Sequence, residues 1–161
     1  MDTIADIITL AIINEVKSKV FYQKASEFIA DGESQMVFIE LTEMEDQHAR
    51  RLVDVFGAEL QAQGIDAQAF LSQQQERSEE VLDVREQNLL EATDMRGVVE
   101  FAIKLELRAR DAYHSLKKQV EDDRLSQVCE ELAEEEQRHH DMLANLRVSM
   151  DTPIDERPAL G

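Results

Sequence analysis

An internal repeat with an offset of 91 residues runs through most of the chain. In residues 4–29, small and apolar side chains recur in alternating steps of four and three, as on the buried face of a bundle helix. The same steps recur in residues 95–120. A second such face in residues 38–55 is repeated in residues 129–146. The sequence therefore predicts two copies of one helical hairpin.

Helix breakers are scarce within this repeat. The chain has only two prolines, both in its last nine residues, and five glycines among 161 residues. We expect an all-α four-helix bundle in which Gly32 ends the first helix and the crossover contains helical turns around "EEVLDVREQNLL". The predicted segments are a domain at 1–150 with hairpins at 3–58 and 94–148, a crossover at 61–93, and a flexible tail at 151–161.

Six polar residues interrupt the apolar faces at corresponding positions of the two copies. Burying such groups costs several kcal/mol unless they are paired, and no Lys or Arg occupies these faces. Two divalent cations would balance four carboxylates. One Glu from each of two helices plus a Glu-x-x-His from each of the other two is the ligand set of di-iron and di-manganese bundles. The predicted metal ligands are Glu15, Glu45, His48, Glu106, Glu136 and His139.

The alternative interpretation is a solvated acidic face on the second helix of each hairpin. Glu43, Glu45 and residues 134–136 would belong to that face, and the two histidines would pack near its edge. This interpretation leaves Glu15 and Glu106 unexplained, because each lies in the middle of an apolar face. The metal site is therefore the favoured prediction.

Two tyrosines lie about two helical turns beyond the isolated glutamates, on the same faces. Tyr22 and Tyr113 either donate hydrogen bonds to ligand carboxylates or are ordinary core tyrosines, and the sequence leaves both possibilities open. His114 and His140 lie off the buried faces, so we do not predict them as ligands.

The net charge and the cysteine count restrict the expected partners and location. A formal charge of −18 repels phosphate backbones and anionic lipids, so we expect no nucleic-acid or membrane partner. The apolar run "IITLAII" is too short to span a bilayer. The single Cys129 cannot form a disulfide within the chain, which favours a reducing environment. The predicted location is cytoplasmic.

The motifs on these faces resemble those of the ferritin-like superfamily, specifically its rubrerythrin and bacterioferritin branches. The resemblance rests on "AIINEVKSKVFY" with "MEDQH" and on "AIKLELRARDAY" with "EEQRH". It implies an iron pair that reacts with O2 or peroxide. By position it implies terminal carboxylates at Glu15 and Glu106, bridging carboxylates at Glu45 and Glu136, and imidazole ligands at His48 and His139.

Three departures from these branches restrict the expected cofactors. Bacterioferritins bind haem through a Met directly after the second-helix Glu, but Asp46 stands there, so no haem is expected. Typical rubrerythrins add a Glu one turn after the third-helix ligand, where this chain has Ala109. Many also carry a four-cysteine rubredoxin-like domain, which a single Cys excludes. The expected cofactor is two Fe ions, with Mn or Zn as alternatives.

The resemblance predicts a di-iron oxidoreductase that reduces peroxide or O2 with electrons from an external donor protein. The alternative is a ferroxidase, or an iron-storage or iron-delivery protein. In a third possibility the metal only stabilises the bundle. We expect a homodimer or a larger oligomer.

Overall fold

The computed structural model of the chain describes residues 3–29, 31–77, 84–91 and 95–151. Within these residues it contains helices and no strand, so the all-α prediction is confirmed. The helices are α1 (Ile4–Phe28), α2 (Gly32–Gln61), α3 (Ala67–Glu76), α4 (Val84–Glu91), α5 (Met95–Gln119) and α6 (Asp123–Met150).

Four long helices form the bundle that positions the polar residues. The antiparallel pair α1 and α2 makes one hairpin, and α5 and α6 make the other. The hairpins join because α1 packs against α5 and α2 packs against α6. The apolar faces predicted from the repeat are buried here, and only positions such as Ile4, Val55, Met95 and Ala109 are partly exposed. The interior is therefore lined by all four helices.

Side-chain caps fix where several of these helices begin. The Thr3 hydroxyl accepts from the Asp6 backbone N–H at 3.1 Å, and the Asp6 carboxylate accepts from the Thr3 backbone N–H at 2.9 Å. Asp122 caps α6 by accepting from the backbone N–H of Leu125 at 3.1 Å. Each cap satisfies N–H groups that have no partner within the first turn.

The boundary between α1 and α2 differs from the predicted one. Gly32 does not end α1, which stops at Phe28; Gly32 is instead the first residue of α2. The reason is that Asp31 caps α2, its carboxylate accepting from the Ser34 backbone N–H at 3.3 Å and from the Ser34 hydroxyl at 2.6 Å. Among the described residues, Gly64 is the glycine with a positive φ, of 75°, and it lies just beyond the end of α2.

The crossover contains more helix than the sequence predicted. Helix α4 covers residues 84–90 of the segment where helical turns were expected and extends to Glu91; residues 79–83 of that segment are outside the described residues. Helix α3 was not predicted. It packs against α2 and α1, while α4 packs against α1 and α5. Lys17 of α1 holds α4 through an ion pair of 2.6 Å with Glu86.

The last described helix, α6, runs almost to the end of the described residues. Asp151 ends α6, and the rest of the predicted tail, residues 152–161, lies outside the described residues. Among the helices described, none combines the length and the apolar character needed to cross a membrane.

Candidate metal centre

The six predicted ligands come together in the middle of the bundle, with at least one from each long helix. Their side chains point into the interior because they share the periodic faces of their apolar neighbours. Each is at most 3% exposed, which is unusual for ionisable residues. The burial excludes a solvated acidic face for the six, which are Glu15, Glu45, His48, Glu106, Glu136 and His139.

These residues form two overlapping clusters, in each of which the potential ligand atoms lie within 4.8 Å of one another. Glu15 and His48 belong to the first cluster only, and Glu106 and His139 to the second only. Both clusters contain Glu45 and Glu136. Two carboxylates shared by two sites are what a dinuclear centre with bridging ligands requires.

The distances follow an approximate two-fold relation between the hairpins. His48 Nδ1 lies 2.6 Å from Glu136 Oε1 and 3.6 Å from Glu15 Oε2. His139 Nδ1 lies 2.9 Å from Glu45 Oε1 and 3.5 Å from Glu106 Oε2. The two imidazole rings stack with centroids 5.4 Å apart and planes 13° apart. Each histidine thus faces a terminal Glu of its own hairpin and a shared Glu of the other.

Both tyrosines hydrogen-bond to carboxylates of the opposite hairpin. The Tyr22 hydroxyl donates to Glu106 Oε1 at 2.6 Å, and the Tyr113 hydroxyl donates to Glu15 Oε1. Burial and the nearby carboxylates raise the pKa values of both tyrosines well above their usual range, so both remain protonated donors. Of the two possibilities that the sequence left open, the structure therefore shows the hydrogen bonds to the predicted ligands.

Several buried atoms at the centre have no hydrogen-bond partner among the described residues. They include Glu15 Oε2 and Glu106 Oε2, which are the oxygens not used by the tyrosines. His48 Nδ1 and Glu136 Oε1 also make no hydrogen bond of normal geometry, although they lie 2.6 Å apart. Buried polar atoms are rarely left without a partner, and these converge on the same interior region. The donor set therefore fits divalent metal ions, for which carboxylate oxygen and imidazole nitrogen are suitable ligands.

The electrostatics of the site also favour a bound cation. Burial and repulsion by neighbouring carboxylates raise the pKa values of Glu45 and Glu136 well above the usual range for glutamate. Burial would also raise the pKa of Glu15, but the adjacent Glu45 carboxyl and the charge of His48 hold it below its ordinary value. Burial would lower the pKa of His48, but Glu15 and a hydrogen bond with Glu135 raise it to about 11. The buried carboxylates therefore favour a positively charged group, such as a metal ion, in the core.

Glu135 is a residue of the site that the sequence did not reveal. Its Oε2 lies 2.5 Å from His48 Nε2, on the side of the ring away from the cluster. The hydrogen bond with His48 lowers the pKa of Glu135, so it is a carboxylate. Its place directly before Glu136 was the available signal, because it puts the side chain at the edge of the buried face.

The residues predicted to lie outside the centre do so. His114 is exposed. His140 Nδ1 lies 3.0 Å from the neighbouring Asp141 carboxylate. Asp46, at the position of the bacterioferritin haem ligand, pairs with Lys19 at 2.9 Å on the surface of the bundle.

Comparison with known proteins supports the resemblance found in the sequence. The rubrerythrin family model matches residues 97–159, a segment that includes Glu106, Glu136 and His139. Searches of curated proteins and of solved structures gave no significant match. The predicted resemblance is thus confirmed on the second hairpin, and the 91-residue repeat relates the first hairpin to it. Residues 97–159 are thus similar to the rubrerythrin family, whose domain is a ferritin-like di-iron domain.

Proposed function

We propose that the chain is an oxidoreductase that reduces peroxide or O2 at a di-iron centre, with electrons from an external donor protein. The observation that carries this proposal is the pair of buried clusters that share Glu45 and Glu136. In a purely structural metal site, a single closed cluster would be sufficient. Two adjoining sites instead suit a reaction that needs two electrons.

The residues divide between two metal ions in a way that balances charge. Glu15 and His48 would hold one ion, and Glu106 and His139 the other, with the shared carboxylates spanning both. Four carboxylates neutralise two divalent cations. The pair of iron ions would supply electrons to the oxidant, because iron changes its oxidation state whereas Zn does not.

The protein contributes orientation and exclusion of water. The tyrosine hydroxyls fix one oxygen of each terminal carboxylate, leaving the other oxygen directed at the histidine of the same hairpin. Leu41, Leu52, Leu132 and Leu143 are fully buried one turn before or after the Glu-x-x-His residues on the same faces. An enclosed, largely apolar site strengthens electrostatic interactions and limits side reactions with solvent.

The overall reaction fixes what the partners must provide. Reduction of one hydrogen peroxide to two waters consumes two electrons and two protons. The single Cys129 cannot form a rubredoxin-type iron site, so a separate reduced protein would supply the electrons. We place this reaction in the cytoplasm, in a homodimer or larger oligomer, without nucleic acid or membrane as partner.

Peroxide turnover by the iron-loaded chain tests the proposal. We expect about two Fe per chain and oxidation of the bound iron by hydrogen peroxide, followed optically under anaerobic conditions. Removing an outer partner of a metal ligand typically lowers metal affinity or activity by about 10–100-fold. Glu45→Gln changes a predicted ligand itself, so it should slow this oxidation by at least about 100-fold. Glu43→Gln makes the same charge change at an exposed position of α2 and should leave the rate unchanged. Bound iron that peroxide does not oxidise would contradict the proposal.

Iron handling is the second candidate function, and the net charge of −18 favours it because an acidic surface concentrates Fe2+. A ferroxidase that feeds a mineral store would assemble into a large particle holding many more than two Fe per chain. Gel filtration combined with iron analysis distinguishes the two functions, since an oxidoreductase would keep about two Fe per chain in a small oligomer.

A further inference from the structure

The two histidines of the centre differ in what their outer ring nitrogens contact. His48 Nε2 lies 2.5 Å from the Glu135 carboxylate. His139 Nε2 is buried and has no hydrogen-bond partner among the residues that the structure describes. Both tyrosine hydrogen bonds are matched between the hairpins. The outer ring nitrogens therefore differ in a way that the tyrosine contacts do not.

The internal repeat identifies the sequence difference that accompanies this asymmetry. Glu135 directly precedes Glu136, and the residue that directly precedes Glu45 is Met44. The 91-residue offset makes residues 44 and 135 counterparts. A thioether is at most a weak hydrogen-bond acceptor, so Met44 is a poor substitute for the carboxylate of its counterpart.

The difference matters for metal binding because an imidazole must bind through an unprotonated nitrogen. In both histidines Nδ1 faces the carboxylate clusters, so the proton must sit on Nε2. For His48 that N–H donates to Glu135, which fixes the tautomer and makes Nδ1 a stronger ligand. For His139 the same tautomer buries an N–H without an acceptor among the described residues, which disfavours it.

We propose that the two metal positions are inequivalent and that Glu135 is a positioning residue that makes the Glu15–His48 position the tighter one. This inference rests on the proposed function, because it requires that both clusters bind metal. Loss of such an outer partner typically costs about 10–100-fold in metal affinity. The Glu15–His48 position should therefore bind first, with an affinity about 10–100-fold above that of the Glu106–His139 position.

Titration of the full chain with Co2+ after chelator treatment tests this, with visible absorption and a competing chelator as readouts. The wild type should bind in two steps separated by about 10–100-fold. Glu135→Met should weaken the tight step by about that factor, whereas Glu135→Gln keeps an acceptor oxygen and should retain most of the affinity. Met44→Glu should strengthen the weak step. Glu134→Gln changes charge at the exposed neighbouring position and should alter neither step.

The outcomes separate this inference from the function on which it rests. Two equal steps in the wild type would overturn the inference while leaving the dinuclear site intact. An unchanged tight step in a folded Glu135→Met would do the same, and if that variant does not fold, an unchanged weak step in Met44→Glu overturns it. No bound Co2+ in the wild type would overturn the proposed function and this inference together.

Discussion

On the proposed function, removal of the metal should strongly destabilise the fold, because the centre concentrates four carboxylates in the core. All four glutamates are at most 2% exposed. Without a cation their desolvation and mutual repulsion oppose folding, whereas a cation that binds only the folded chain stabilises it by mass action. At a free metal concentration of 100 times Kd this amounts to about 2.7 kcal/mol per ion, or about 5 kcal/mol for two.

Thermal unfolding measures this effect directly. A domain of this size shifts in Tm by about 2–4 °C per kcal/mol, so chelation should lower Tm by about 10–20 °C. The assay is far-UV circular dichroism or calorimetry at a series of anaerobic free Fe2+ concentrations. Tm should rise with the logarithm of the metal concentration once the sites begin to fill.

A double substitution of the shared glutamates separates repulsion from metal binding. Glu45→Leu with Glu136→Leu removes the two shared carboxylates, and with them part of the buried repulsion that opposes folding without metal. The variant should melt above the chelated wild type and show no response to metal. The reasoning would be refuted if chelation left the wild-type Tm unchanged, or if the double variant responded to metal as the wild type does.

Two further predictions concern the surroundings of the centre. Tyr22→Phe removes the donor to Glu106 Oε1 and leaves a buried oxygen without that partner, so urea unfolding of the chelated protein should show a loss of about 1–3 kcal/mol. An unchanged midpoint and slope would contradict this. Cys129 is fully buried, and burial raises the pKa of its thiol to about 11. At pH 8, below that pKa, the thiol stays protonated, so a chromogenic disulfide reagent should react with it only after unfolding. Rapid reaction in the folded chain would refute that assignment.

The register of the long helices was predictable because one period governs burial along each of them. Glu15 and Glu106 fall on apolar faces with a helical period, so their burial followed from sequence position alone. The repeat added a second, independent copy of the same pattern. The helical period and the repeat were sufficient to predict the fold and to predict that the six candidate ligands lie close together.

Features that depend on short segments were less predictable. Helix α3 buries only Ala67 and Leu71 among its ten residues, so it shows no clear apolar face. Two local signals compete at the boundary between α1 and α2. Gly32 could end the first helix, whereas Asp31 could cap the start of the second, and the two residues are adjacent. Local signals of similar strength compete at such points, and packing against the rest of the bundle decides between them.

The contact between Glu135 and His48 was missed for a different reason. It joins α6 to α2, so it depends on how two helices pack against each other. Periodicity within a helix predicts which face is buried, but not which side chain at the edge of that face meets a residue on a neighbouring helix. The repeat gave no help here either, because Met44 is the counterpart of Glu135.

The duplicated hairpin explains why the candidate centre has two overlapping ligand clusters. A Glu-x-x-His on α2 brings His48 to the shared carboxylate of α6, and the one on α6 brings His139 to the shared carboxylate of α2. Each half-site thus takes a shared ligand from the other hairpin, so neither hairpin completes a cluster by itself. The tyrosine hydrogen bonds also cross between hairpins. Pairing of the two copies therefore assembles both ligand clusters at once, and a difference between the copies, such as that at residues 44 and 135, can distinguish the clusters without disturbing the pairing.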